Sequence, residues 1–312
     1  MSVKSRVIIG TRGSRLALAQ TKLVVDLLSQ IHSIEFVLKE VTTSADKNPD
    51  APLYEIGGEG VFVKELEIQL LSGGIDMAVH SLKDLPVDLP QGLLIGAVIS
   101  RGDPLDAFVS SRYESLDELP PRGKLGTSSP RRIAQLRSLR PDLEFIPVRG
   151  NIETRLAKME SLGLDGIILA AAGLERLGLA HLIRERIPFE ICMPAPGQGA
   201  LAIEVRRDDP ALLGIVASLD DPMARAATTA ERSFLKTLGG GCHAPIGAFG
   251  YVENGELTLQ GVLASPNGRD ILRGKIKGRM EEREKLGQRL AKELLECGGV
   301  NILKGLGKIQ RR

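Results

Sequence analysis

The stretch IDMAVHSLKDL, Ile75–Leu85, decides how this chain folds. Its first half, Ile75–Val79, is mostly apolar and reads as a buried strand. Its second half, His80-Ser81-Leu82-Lys83-Asp84, turns polar at once, as the carboxyl end of a strand does in an open α/β sheet, where ligands bind. A looser counterpart, DGIILAAAGLERL, runs over Asp165–Leu177. Outward from the first, Arg6–Gly10 and Glu35–Val41 read as strands, and Arg15–Gln30 and Val61–Leu71 as helices. Outward from the second, Lys124–Gly126 and Phe145–Val148 read as strands, each followed by a polar turn and a helix. The alternation predicts two similar α/β lobes, of periplasmic-binding-protein type with a hinge.

Polar or Pro/Gly-rich junctions at Ser100–Pro104 and Pro194–Gly199 mark two crossings between the lobes. The first lobe is therefore expected over 1–99 and 200–217, and the second over 105–193. A small α+β domain is expected over 222–312. It opens with a helix, Pro222–Leu238, and continues with three antiparallel strands, Ile246–Val252, Leu257–Ala264 and Ile271–Lys277. A helix over Leu286–Leu295 follows. Thr42–Gly60 is polar and glycine-rich, as suits a surface loop.

Composition narrows the function. The 312 residues carry a net charge of +2, which suggests no polyanion-coating role. There is no Trp and little Tyr or Phe, so the stacking platforms of single-strand nucleic-acid binders are missing. Three cysteines at irregular spacing make no disulfide framework, and four histidines without a CxxC pair argue against a zinc site. No signal-peptide core or membrane-length apolar run is present, so the chain is read as cytoplasmic, with no metal and no membrane partner.

Basic residues recur where strands give way to helices: Arg12, Lys83, Arg131, Arg132, Arg149 and Arg155. A helix N-terminus already attracts anions, and arginine binds carboxylates bidentately, although phosphates suit the same geometry. Ser14, Thr127, Ser128 and Ser129 either cap those helices or donate hydroxyls to a ligand. Asp84 suits stabilisation of a cationic intermediate or proton transfer, and equally an ion pair with Lys83 or a cap. His80 reads as a satisfied core residue. In Gly239-Gly240-Gly241-Cys242-His243 the thiol is either a small packed hydrophobe or a covalent attachment point on a permissive loop.

Several ordered motifs carry a family resemblance. They are Gly57-Gly58 with Phe62–Leu66, Val79–Pro86, Gly126–Arg132, Arg149-Gly150-Asn151 with Thr154-Arg155-Leu156, Pro196–Ala200, and Gly240-Gly241-Cys242 with Pro245-Ile246-Gly247. Over nearly its whole length the chain resembles the porphobilinogen deaminase (hydroxymethylbilane synthase) family. The resemblance implies a monomeric transferase of haem and porphyrin biosynthesis. Four porphobilinogen molecules condense with loss of ammonia, and hydrolysis releases hydroxymethylbilane. It implies a dipyrromethane cofactor held by a thioether to Cys242. It assigns pyrrole carboxylates to Arg12, Lys83, Arg131, Arg132, Arg149, Arg155 and Arg176, with hydrogen bonds from Ser14, Ser81, Thr127 and Ser129. Asp84 would steady the charge that develops as an azafulvene forms and is attacked. Phe62 would pack against a ring, and Gln198 would line the hinge side. Glu55 and Glu59 stand where the family often has lysines, so no binding role passes to that loop and its gating role stays open; Pro130 is a separate departure from the family pattern. A non-enzymatic two-lobed module for small anions is the alternative. A cysteine-nucleophile hydrolase lacks a convincing base.

Overall fold

The computed structural model describes residues 5–43, 60, 63–239 and 244–309. They fall into two compact units, one of Met1–Gly102 with Ala200–Arg225, the other of Asp103–Gly199 with Ala226–Arg312.

In the first unit, β1 (Arg6–Thr11) leads to α1 (Arg15–Ile31) and β2 (Glu35–Glu40). Helix α2 (Lys64–Leu71) precedes β3 (Met77–Ser81), a 3₁₀ turn at Leu82–Asp84, and β4 (Leu93–Val98). In the second unit come β5 (Asp106–Val109), β6 (Lys124–Gly126), α3 (Pro130–Leu139), β7 (Glu144–Ile146), α4 (Ile152–Ser161), β8 (Gly166–Ala170), α5 (Ala171–Arg176) and β9 (Ile183–Ile187). The chain then returns to the first unit as β10 (Leu201–Arg206) and α6 (Pro210–Val216). Helix α7 (Pro222–Leu238) carries it into β11 (Ile246–Glu253), β12 (Glu256–Ala264), β13 (Ile271–Arg279), α8 (Arg283–Leu294) and α9 (Val300–Ile309).

The two five-stranded sheets share one plan. Their orders are β2-β1-β3-β10-β4 and β7-β6-β8-β5-β9. In each, the strand next to a crossing inserts between the third and fourth strands and runs antiparallel to both. The expected pair of similar α/β lobes is therefore present, with the expected three-stranded antiparallel sheet β11-β12-β13. Strands β4, β5 and β9 and helices α6 and α9 are additions to the sequence reading. The hairpin expected at Glu253-Asn254-Gly255 forms with Asn254 at φ 51° and Gly255 at φ 79°, the left-handed pair that a two-residue hairpin turn requires.

Apolar side chains of β1, β3 and β10 pack on α1 and α6 through Val7, Ile9, Val24, Leu28, Ile203 and Leu212. In the third sheet, Phe234 of α7 joins Leu257, Leu259, Leu286 and Leu290. Loss of one such side chain to alanine typically costs about 2–5 kcal/mol.

One buried polar group stands out in the first core. His80 Nε2 lies 3.0 Å from Glu204 Oε2, an ion-pair distance without hydrogen-bond alignment. His80 is buried in the core as expected, but it is not the satisfied residue the sequence suggested, because its Nε2 and both Glu204 carboxylate oxygens lack an aligned hydrogen-bond partner. Glu67 of α2 is buried too, and its Oε1 has no hydrogen-bond partner. Burial, and then the nearby Glu204 carboxylate, push the Glu67 carboxyl above its ordinary range. A raised folded-state value favours folding at low pH, and that contribution is lost as pH rises through it. Glu67→Gln should therefore raise the thermal midpoint at pH 7.5 by about 2 °C, with a smaller gain at pH 4.5. A lower midpoint at pH 7.5, read by calorimetry, would contradict this.

Candidate active site

Several of the predicted site residues follow the carboxyl ends of the parallel strands. Ser14 caps α1 after β1 by accepting from the Ala17 N–H at 3.3 Å. Ser129 caps α3 after β6, accepting from the Arg132 N–H at 3.4 Å, with Pro130 in the first turn. Pro130, a departure from the family pattern, is thus well placed for a helix start. Asn151, quoted in the sequence as part of a motif but given no role there, caps α4 after β7 by accepting from the Thr154 N–H at 2.8 Å. Gly150 before it has φ 109°, and its carbonyl accepts from Arg155 Nε at 2.8 Å. The hydroxyls do local work as well. Thr127 Oγ1 accepts from the Ser129 N–H at 3.2 Å, Ser128 donates to the Val148 carbonyl at 3.0 Å, and Ser81 Oγ accepts from Gln20 Nε2 at 2.9 Å.

Asp84 ends the 3₁₀ turn that follows β3. Its side chain is exposed and has no hydrogen-bond or ion-pair partner among the described residues. The ion pair with Lys83 is not formed. Lys83, Arg12, Arg149 and Arg155 are half-buried, each with contacts inside the protein.

Arg131 and Arg132 differ from that surface set. They are 5% and 6% exposed, and both engage Asp106, which is 0% exposed. Arg131 Nη1 donates to Asp106 Oδ2 at 2.7 Å and to the Met193 carbonyl at 2.7 Å. Arg132 Nη2 and Nε donate to Asp106 Oδ1 at 2.6 and 3.0 Å, and Nη1 to the Ile168 carbonyl at 2.8 Å. Gln198 Nε2 reaches Asp106 Oδ1 at 2.9 Å and the Pro104 carbonyl at 2.8 Å. Burial alone would raise the Asp106 carboxyl, but the two guanidiniums hold it far below the usual carboxylate range. The resemblance gives both arginines ligand carboxylates; the structure gives both a protein carboxylate. Asp106 carried one sequence signal, an acid heading the apolar run Ala107-Phe108-Val109 of β5.

Two guanidiniums against one carboxylate leave a buried net charge of +1. Arg176, half-buried, donates Nη2 to the Gly199 carbonyl at 2.6 Å, and burial pushes its guanidinium below its ordinary value. Buried cationic charge short of a counter-ion is a donor set that fits a group bearing several carboxylates. Dipyrromethane is such a group.

The comparisons agree. A family model described as porphobilinogen deaminase, dipyromethane cofactor binding domain, matches residues 7–214, and one described as porphobilinogen deaminase, C-terminal domain, matches residues 226–296. The chain belongs to the porphobilinogen deaminase family. A porphobilinogen deaminase of Pelotomaculum thermopropionicum is 47% identical over 311 residues, covering 99% of this chain and 100% of that one. The porphobilinogen deaminase of Carboxydothermus hydrogenoformans is 49% identical over 302 residues, covering 96% and 97%. Among solved structures, the methionine-binding protein MetQ is similar at 12% identity and a TM-score of 0.46, over 69% of this chain and 89% of that one.

Cys242 and Phe62, like Glu55 and Glu59, lie outside the described residues. Of the other cysteines, Cys192 is buried, with Sγ 3.4 Å from Asp106 Oδ2, and Cys297 is exposed. Burial, reinforced by the Asp106 carboxylate, pushes the Cys192 thiol up to about 12. Iodoacetamide at pH 8 should label Cys297 in the native protein and reach Cys192 only after denaturation. Native labelling of Cys192, seen by peptide mapping, would contradict that burial.

Proposed function

We propose that this protein carries out its family's reaction with the strand-end residues described above. The enzyme joins four porphobilinogen molecules head-to-tail, releasing one ammonia per unit, and then adds water to free hydroxymethylbilane. Its cofactor is dipyrromethane, joined by a thioether to Cys242. When bound, that group supplies the pyrrole carbon at which chain growth begins. Family membership over the full chain carries the assignment, and it disfavours a non-enzymatic anion-binding module.

The roles follow from charge. Every porphobilinogen brings an acetate and a propionate, so a lengthening chain accumulates negative charge. Arg12, Lys83, Arg149, Arg155 and Arg176 bind those carboxylates, as do Arg131 and Arg132 through the +1 left after pairing with Asp106. Ser14, Ser81, Thr127 and Ser129 add hydrogen bonds, Gln198 orders the crossing segment and Phe62 packs against a ring. Asp84 accepts from pyrrole N–H groups and stabilises the positive charge that develops as ammonia leaves. Its exposed, unengaged carboxylate supports that role, because a group already paired in the protein would have to be released first. On this reading the enzyme is a cytoplasmic monomer with lobes over 1–99 with 200–217 and 105–193, and a third domain over 222–312.

Asp84→Asn keeps the side-chain shape and removes the charge. Turnover should fall by about 10²-fold or more, with the thermal midpoint and circular dichroism unchanged. Turnover within threefold of the parent would remove Asp84 from the chemistry.

A further inference from the structure

The Asp106 network does more than neutralise charge. One buried carboxylate takes four guanidinium contacts, two from Arg131 and two from Arg132. Both arginines belong to the first turn of α3, where the helix end is already positive. Left alone, two cations there would repel each other and turn toward water. Asp106 holds both guanidiniums inside the second unit instead.

The same carboxylate reaches the chain crossings. Gln198 donates to Asp106 and to the Pro104 carbonyl. Gln135, also on α3, accepts from the Met193 N–H at 2.9 Å and donates to the Met193 carbonyl at 3.1 Å. Segment 192–198 is thereby fastened to α3 and to the start of β5 by one polar cluster. For stability alone, apolar side chains of the same volume would serve as well or better than a buried ion triad. What this geometry uniquely supplies is two fixed guanidiniums with a single residual positive charge.

We propose that Asp106 is a positioning residue for pyrrole-carboxylate binding, acting through Arg131 and Arg132, which it clamps jointly with Gln198. Without it the arginines keep their charge and lose their shared orientation, so affinity for substrate falls while the chemical step, centred on Asp84, is largely spared. The inference rests on the carboxylate-binding role given above to Arg131 and Arg132.

Asp106→Asn tests it in the full-length enzyme. KM for porphobilinogen should rise about tenfold with kcat within about threefold, and the share of purified protein carrying the cofactor mass should fall below half that of the parent. In an Arg132→Gln background, adding Asp106→Asn should change KM by less than about threefold, because the two residues act as a unit. A lower thermal midpoint with unchanged KM and cofactor loading would show a merely structural role and overturn the proposal. An equal KM effect in both backgrounds would also overturn it. Should Asp106→Asn alone fail to fold, the Asp106→Asn/Arg132→Gln pair keeps the net charge at +1 and decides the matter. Its KM should match that of Arg132→Gln, and a tenfold excess over that value contradicts the proposal. If the parent enzyme fails to consume porphobilinogen, the reading of the reaction falls, which the parent assay shows separately from the variants.

Discussion

A charge removed from water must find an opposite charge within hydrogen-bonding distance, and the second unit is organised around one such demand. Asp106 satisfies two arginines at once and still leaves them one positive charge in excess. That surplus is what the proposed binding of carboxylates by Arg131 and Arg132 would draw on. Other cationic groups follow the same logic less deeply buried. Arg176 is half-desolvated against a single carbonyl, and Arg155 is steadied by the Gly150 carbonyl at its own helix start. The fold supplies the places. Strands in both sheets end where helices begin, so backbone N–H groups and basic side chains collect at the same edges.

Against this basic background Asp84 is chemically distinct. It stands at the end of the turn after β3, exposed and unengaged. A carboxylate with no partner among the described residues is the one the proposed reading sets against a transient positive charge on substrate. In the reading proposed above, chain growth would use both properties together, cationic groups for the product's carboxylates and the Asp84 carboxylate for the reacting ring.

Much of this was legible in the sequence. The apolar-to-polar switch at Ile75–Leu85 located β3 and the turn bearing Asp84, and Lys124–Gly126 coincides with β6. Ser14 and Ser129 are helix caps, one of the two roles their positions allow. The missed elements have physical reasons. Strand β5 has four residues, too few to show a period, and β9 reads Ile-Arg-Glu-Arg-Ile, with charge on an edge strand. The pairing of Asp106 with Arg131 and Arg132 bridges 25 and 26 positions, and no local pattern announces a contact made only when β5 inserts beside β8. The burial of both arginines was hidden for the same reason.

The central claim is that a pyrrole primer is tied by sulfur to Cys242 and grows among these cations. Intact-mass measurement of purified active protein, with peptide mapping across Gly239–Ile246, tests it most directly. The account predicts a two-pyrrole adduct confined to the Cys242 peptide. An unmodified Cys242 thiol in protein that converts porphobilinogen to hydroxymethylbilane at full rate would contradict it.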